Sequence, residues 1–391
     1  MARSTESVLE SLQSTRVPIN GRQSLWSRLL DWLPSWKPTS ETLLEQAEAD
    51  VLKSVSSPHT DLYVPIHKEA VIRTFEVEPT QPIPGAYPLV MIHGFGAGFL
   101  QFYKNLDHLH SQRRLLALDV PGFGRSTRVS FSSDPAAVEN EMVAHLETWR
   151  RVLGLEKFIL LGHSLGAFLA CSYCLRHPER VQHLILVDPW GISPPLSEEE
   201  MKKKFPFLAK RFWQMVGRLK PFDPVRMAGP WGSDVIQRTR PDLSRNFGDS
   251  FMNYVYHCNV QRPTGEEAFY HMQYMYGWAK RPMLPRLAQT LDPRVPLTLI
   301  LGQRSWMKAV SDGRCVGEAI SELRPQSYVA VHRVSGAGHH VHADQPGVFN
   351  DLVNKTCSLA DSGGDVEPET VSGTETPEWD PARPTSHADL E

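Results

Sequence analysis

The chain has 391 residues, of which 41% are apolar and 22% charged, with a formal net charge of −3; that composition belongs to a water-exposed globular protein with room for a sizeable core. No apolar run approaches the roughly 18 residues needed to cross a bilayer, and the balance of charge gives no nucleic-acid signature. Between Asp361 and Glu391 nine acids stand against one base, a net of −8 that leaves the remaining chain at +5.

Residues 1–60 read as an N-terminal extension. Leu25, Trp26, Leu29, Leu30, Trp32 and Leu33 line one side of a short helix that Pro34 ends, with Trp36 just beyond. Tryptophan favours the boundary between water and lipid, so residues 20–38 are a candidate anchor to a membrane or lipid-droplet surface; a helix packed on the body gives the same pattern. The opening MARSTESVLESLQST has no apolar signal core, and five cysteines suit a reducing compartment, so a cytoplasmic protein is expected.

Residues 61–193 alternate strand and helix patterns. LYVPIHK and AVIRTFEV read as a hairpin, and YPLVMIHG, RRLLALDV, KFILLG and HLILVDP as strands buried on both faces of a parallel sheet, with PAAVENEMVAHLETWRRVLG and AFLACSYCLRHPERV as helices between them. Residues 194–290 break the rhythm with aromatic helical stretches, as a cap over an active site does, and their first segment, Lys202 to Lys220, is basic. Strands return in PLTLILG and SYVAVHRVSG, so residues 291–358 complete the core, and residues 359–391, polar and acidic, are expected to lack order. Cys171 and Cys174 form a CxxC inside a helical pattern with no second pair to complete a metal site; neither metal nor cofactor is expected.

The sharpest chemical signal is GHSLG, Gly162, His163, Ser164, Leu165 and Gly166, set between a strand and a helix. A serine on such a strained turn projects its hydroxyl from the C-terminal edge of the sheet, and small residues on either side prevent collisions, so Ser164 is the expected nucleophile of an α/β-hydrolase fold. HGFGAG, beginning at His93, closes an earlier strand and supplies a second backbone donor; the amides of Phe95 and Leu165 are the expected oxyanion hole. His93 and the DVPGFGRS turn read as structural. GAGHHVHADQP offers His339, His340 and His342, with His339 presented first as general base. The acid should follow PLTLILG, where Asp312 is the nearest candidate, with Glu318 and Glu322 farther on.

The motifs GHSLG, LILVDPWG, YVYHCNVQRPTGEEAF, LRPQSYV and GAGHHVHADQP resemble the α/β-hydrolase subfamily of abhydrolase domain-containing proteins four and five over about residues 60–357. The resemblance implies phospholipid substrates, N-acyl phosphatidylethanolamines or lysophospholipids, and a serine-bearing lipase rather than the asparagine-bearing co-activator branch, because position 164 is serine. It also implies lipid-droplet binding through the Trp-bearing N-terminus and, as competing roles, co-activation of another lipase or binding of a droplet-coat protein. The subfamily's HxxxxD motif, proposed there for lysophosphatidate acyl transfer, corresponds to His339 through Asp344. One departure stands out: the subfamily's acid lies two or three residues after the serine of its strand-end loop, where Trp306, Met307 and Lys308 stand here.

Overall fold

The computed structural model describes residues 39–67, 69–195, 220–274, 277–307, 313–362 and 371–375. The Trp-bearing segment 20–38 and most of the basic segment 202–220 lie outside the described residues. Helix α1 (Glu41–Leu52) starts where the Ser40 side chain accepts from Leu43 N at 3.1 Å. It packs against the cap, with Thr39 Oγ1 3.1 Å from His257 Nδ1.

The antiparallel hairpin of β1 (Thr60–His67) and β2 (Ala70–Val77) opens the sheet. Then come β3 (Leu89–Ile92), α2 (Tyr103–Leu109), β4 (Leu115–Leu118), α3 (Pro135–Val152), β5 (Phe158–His163), α4 (Leu165–Arg176) and β6 (Val181–Val187). The short helices α5 (Asp223–Met227), α6 (Gly232–Thr239) and α7 (Pro241–Phe247), followed by α8 (Asp249–Asn259) and α9 (Thr264–Met272), form the described part of the cap. A two-stranded pair, β7 (Gln273–Tyr274) and β8 (Trp278–Ala279), leads to α10 (Met283–Thr290). The fold then closes with β9 (Leu297–Gly302), α11 (Val316–Leu323), β10 (Val329–Val334), α12 (Val341–Asp344) and α13 (Pro346–Asp361).

The main sheet has the order β1-β2-β4-β3-β5-β6-β9-β10, parallel from β4 onward. Val371–Glu375, inside the tail expected to lack order, adds the strand β11 parallel to β10; it gives the open edge of β10 a partner for its backbone groups. Alternation along each strand divides the core: Val90 and Ile92 face the cluster under α3 and α4, whereas Leu89 and Met91 face the cluster under α2 and α13. The Asp134 side chain caps α3 by accepting from Ala137 N at 2.8 Å, with Pro135 in the first turn.

The cap leaves and rejoins the core at one place. Met283 N donates to Gly191 O at 2.9 Å and Leu284 N to Ile192 O at 3.0 Å, so the two ends of the insertion meet just beyond the C-terminal end of β6. Among the described residues no helix is long and apolar enough to cross a membrane.

Candidate active site

β5 ends in a turn so sharp that Ser164 takes φ 53° and ψ −114° before α4 begins. Ser164 and Asp188 are the two non-glycine residues with positive φ among those described, a conformation that costs of order 1–3 kcal/mol and persists only where the surroundings enforce it. For Ser164 they do: its N–H donates to Val187 O at 3.1 Å, while its carbonyl accepts from Ala167, Phe168 and Trp190 N at 3.1–3.2 Å. A Cβ on Gly166 would run into the carbonyls of Ile92 and His93, and one on Gly162 into the Gly166 backbone, so both flanking positions need glycine.

His339 follows β10 on the loop before α12. Its Nδ1 lies 2.5 Å from Oδ2 of Asp188, and Ser305 Oγ donates to the same oxygen at 2.5 Å. Gly302 N donates to Oδ1 of Asp188 at 3.3 Å. Asp188 is fully buried and His339 retains 16% exposure. The carboxylate therefore fixes the tautomer with a proton on Nδ1 and leaves Nε2 as the acceptor.

This arrangement differs from the sequence expectation. Asp312 lies outside the described residues, and the carboxylate on Nδ1, a nitrogen with one hydrogen to donate, comes from the end of β6. The reason is topological. β6 and β9 are neighbours in register, Val187 opposite Ile300, so a carboxylate just beyond either strand reaches the same imidazole. Here the β9 end contributes the Ser305 hydroxyl.

Of the three candidate bases His339 alone has a carboxylate on its ring among the described residues. His342 is fully buried, with both ring nitrogens lacking partners among the described residues; burial, then His339 and Lys104, lower its pKa to about 3. His340 is held well below its ordinary value by burial first, then by His339, His342 and Arg240. Burial thus keeps both rings neutral.

The expected oxyanion donors fall in two places. Leu165 is the first residue of α4, where an N–H has no preceding turn to bond, and Phe95 lines the cavity beside Ser164. The intervening Gly94 is otherwise engaged: its N–H donates to Gln101 Oε1 at 2.7 Å, and a Cβ there would lie 2.7 Å from His163 Nδ1. Gln101 Nε2 in turn lies 2.5 Å from His163 Nδ1, and His163 Nε2 lies 2.9 Å from the His339 carbonyl. A carbonyl can only accept, so His163 Nε2 donates and its Nδ1 receives the Gln101 proton. Burial, then His339, His342 and His340, hold His163 neutral. Gln101 thus joins the Phe95 loop, the serine turn and the His339 loop through one chain of hydrogen bonds. No motif marks it, because it is a lone glutamine in the turn of 3-10 helix at Phe99–Phe102.

His93 and Asp119 hold loops. His93 Nε2 accepts from Val120 N at 2.9 Å, and Asp119 accepts from Phe99 N and Arg125 N, both at 2.8 Å. Asp344 accepts from Gly338 N at 2.6 Å and from Asn246 Nδ2, fastening the His339 loop to the cap. Cys171 and Cys174 are buried in α4, the first with its thiol pushed up to about 12 by burial.

Ser164, His339 and Phe95 open onto one cavity of about 1330 Å³ beneath the cap. A serine on a strained strand-to-helix turn and a carboxylate-braced histidine at the C-terminal edge of a mostly parallel sheet define an α/β hydrolase. The family model for the alpha/beta hydrolase fold matches residues 87–346, and the chain belongs to that family. Among curated proteins it is 43% identical to the (lyso)-N-acylphosphatidylethanolamine lipase of Mus musculus over 328 residues, covering 83% of this chain and 94% of that protein. It is 42% identical to the 1-acylglycerol-3-phosphate O-acyltransferase ABHD5 of Homo sapiens over 330 residues, covering 83% and 92%. Among solved structures the naproxen esterase of Bacillus subtilis superposes with a TM-score of 0.56 at 18% identity, covering 81% of this chain and 98% of that one. A membrane phospholipase A described as a bacterial virulence factor superposes at 0.53, also at 18% identity, covering 87% and 96%.

Proposed function

We propose that the chain is a serine hydrolase that cleaves acyl esters of phospholipids, with lysophospholipids or N-acyl phosphatidylethanolamines as substrates. The observation that carries this reading is His339, braced by Asp188 on Nδ1 and facing the same cavity as Ser164. Ser164 attacks the ester carbonyl while His339 Nε2 takes its proton, and the alkoxide that forms is held by the Phe95 and Leu165 amides. His339 then passes the proton to the departing alcohol. Water, activated by the same imidazole, releases the fatty acid from Ser164. Phe95, Phe222 and Phe269, stacked with centroids 4.4–5.5 Å apart on the cavity wall, shelter the acyl chain; each methylene withdrawn from water adds about 0.8 kcal/mol.

The names of the relatives supply the phospholipid class, and the lipase reading is favoured over acyl transfer by the role of Asp344. The two ends of the HxxxxD motif are not paired with each other here: the Asp344 carboxylate holds Gly338 and Asn246, and the partner of His339 is Asp188. The deciding experiment is labelling with a fluorophosphonate probe, followed by lipid product analysis with and without acyl-CoA. Labelling and fatty-acid release that both vanish in Ser164→Ala support the hydrolase. An unlabelled but folded wild-type protein points instead to a co-activator of another lipase, and acyl-CoA-dependent diacyl products to the transferase.

Peripheral association of a cytoplasmic protein with membrane or droplet surfaces through residues 20–38 belongs to the same proposal. Deleting them should lower liposome binding at least fivefold with turnover of a soluble ester retained; unchanged binding removes the anchor.

A further inference from the structure

The segment YVYHCNVQRPTGEEAF, residues 254–269, contributes none of Ser164, Asp188 or His339. It forms the end of α8, the turn after it and the first turns of α9. One of its residues, the buried Asn259 that ends α8, reaches the loop carrying the Phe95 amide. Asn259 Nδ2 donates to Gly96 O and to Val255 O, each at 2.7 Å. Both acceptors are carbonyls, which only accept, so the side-chain nitrogen faces them and both of its hydrogens are engaged. Asn259 itself does not line the cavity.

The loop at Phe95 is therefore held from two directions. Phe95 N–H and Gly94 C=O belong to one trans peptide and point oppositely. His93 Nε2 accepts from Val120 N, so Nδ1 carries the ring proton and donates to Gly94 O at 2.7 Å. With that carbonyl turned toward the core, the Phe95 N–H turns the other way. The next bend is held by the cap. Gly96 takes φ 75°, and a Cβ there would lie 2.6 Å from the Phe222 ring, so the chain passes directly under the cap with Asn259 on its carbonyl. Glycine moves between backbone wells at little cost, so an unfastened Gly96 lets the neighbouring peptides rotate.

Asn259 is in turn fixed from both sides. Arg226, buried in α5, donates from Nη1 to Asn259 O at 2.8 Å and from Nη2 to Glu266 Oε2 at 2.6 Å, while Arg128 Nη2 of the core donates to Cys258 O at 3.1 Å. Cations on the last carbonyls suit the negative end of a helix. Glu266 Oε1 also accepts from Phe222 N at 2.6 Å, so one cluster sets both Asn259 and a ring of the acyl wall. We propose that Asn259 is a positioning residue for the oxyanion hole: by holding the Gly96 carbonyl from the cap, it keeps the Phe95 N–H aimed at the carbonyl oxygen of an ester on Ser164. This rests on the serine-hydrolase reading with Phe95 as a donor, and it gives the cap a part in the chemistry besides sheltering the acyl chain.

Two ketones separate aiming from packing. A long-chain trifluoromethyl ketone is attacked by Ser164: Oγ bonds to the carbonyl carbon, its proton passes to His339 Nε2, and the carbonyl oxygen becomes the anion in the hole. The matching methyl ketone binds without that step. In full-length Asn259→Leu, which keeps the volume and loses the donor, kcat for p-nitrophenyl butyrate should fall about 10- to 100-fold, with KM changed less than about threefold. Trifluoromethyl ketone affinity should fall by the same factor, and methyl ketone affinity should stay within about threefold of wild type. An unchanged kcat, or equal losses for the two ketones, overturns the assignment and leaves Asn259 a packing residue of the cap. Should Asn259→Leu fail to fold, Asn259→Ala, which removes the donor without filling its place, carries the same expectations. Absence of both ester turnover and fluorophosphonate labelling in wild type ends the hydrolase reading and this assignment with it; wild-type turnover beside an Asn259→Leu protein of equal kcat ends the assignment alone.

Discussion

Asp188, itself fully buried, accepts at one oxygen from both His339 Nδ1 and Ser305 Oγ and at the other from Gly302 N. Replacing it by asparagine keeps the shape but offers the imidazole a different hydrogen-bonding face, which stabilises the wrong tautomer and leaves the imidazolium without its counter-charge. Asp188→Asn should therefore lower kcat by roughly 10³–10⁴, with KM changed little, whereas Ser305→Ala, which removes one supporting donor, should cost on the order of tenfold. An Asp188→Asn protein with near wild-type kcat would mean that another carboxylate, Asp312 among them, serves His339. The sequence makes Ser164 and His339 visible because a strand, a glycine-bracketed turn and a helix are local. The acid is not local. Asp188 stands in plain sight at the end of HLILVDP, but its approach to His339 depends on β6 lying beside β9, and sheet order is not written in any short stretch of chain.

Loops from three strands meet at Gln101. The Gly94 amide follows β3, His163 closes β5 and the His339 carbonyl follows β10, and one side-chain amide with one neutral imidazole connects them. Gln101→Ala strands the Gly94 N–H and His163 Nδ1 in a buried setting, a loss of about 1–3 kcal/mol for each group left unmatched. Gln101 is a positioning residue, so its removal should lower kcat 10- to 100-fold with KM changed less than threefold. A lower Tm with unchanged kcat would assign it a structural role alone. Gln101→Glu gives a second readout: its carboxylate still accepts from Gly94 but demands a proton from His163, so activity should be partly rescued and acquire a new pH dependence. At this scale the sequence is readable wherever burial imposes a pattern. The unbroken apolar runs of β3 to β6 identify a sheet covered on both faces, and the aromatic helices of α8 and α9 identify a cap. What escapes is the contact between cap and core, such as Asn246 with Asp344, since neither partner belongs to a periodic pattern.

Among the described residues, buried and half-buried histidines set the response to acid. His163 and His340 are held well below their ordinary pKa, His342 and His183 lowered to about 3, and His93 lowered, in each case chiefly by burial. A histidine whose folded pKa is depressed stays neutral in the native state and takes up a proton on unfolding. Between its folded pKa and the unfolded value near 6.5 the unfolded chain binds more protons, so stability is fully present above about pH 6.5 and falls as the pH falls. Each such group contributes a slope of up to about 1.4 kcal/mol per pH unit. Glu48 and Glu266, raised by burial, act in the opposite sense, because the folded state then holds the extra proton and gains stability as the pH falls through their raised values. Glu139, lowered overall against its desolvation by its bonds to Arg286 and the other groups around it, loses stability with acid as the histidines do, but below about pH 4.5, outside the histidine window. His145, His257 and His332 are lowered chiefly by burial as well, so with eight histidines against two glutamates among the described residues the urea midpoint should drop steadily from pH 7 to pH 5. His342→Leu removes one titrating group whose nitrogens have no partners among the described residues, so it should flatten that slope by about one proton and raise stability at pH 5 relative to wild type. A midpoint that is level from pH 7 to pH 5, or a slope untouched by the substitution, would show that these rings reach water in the native protein.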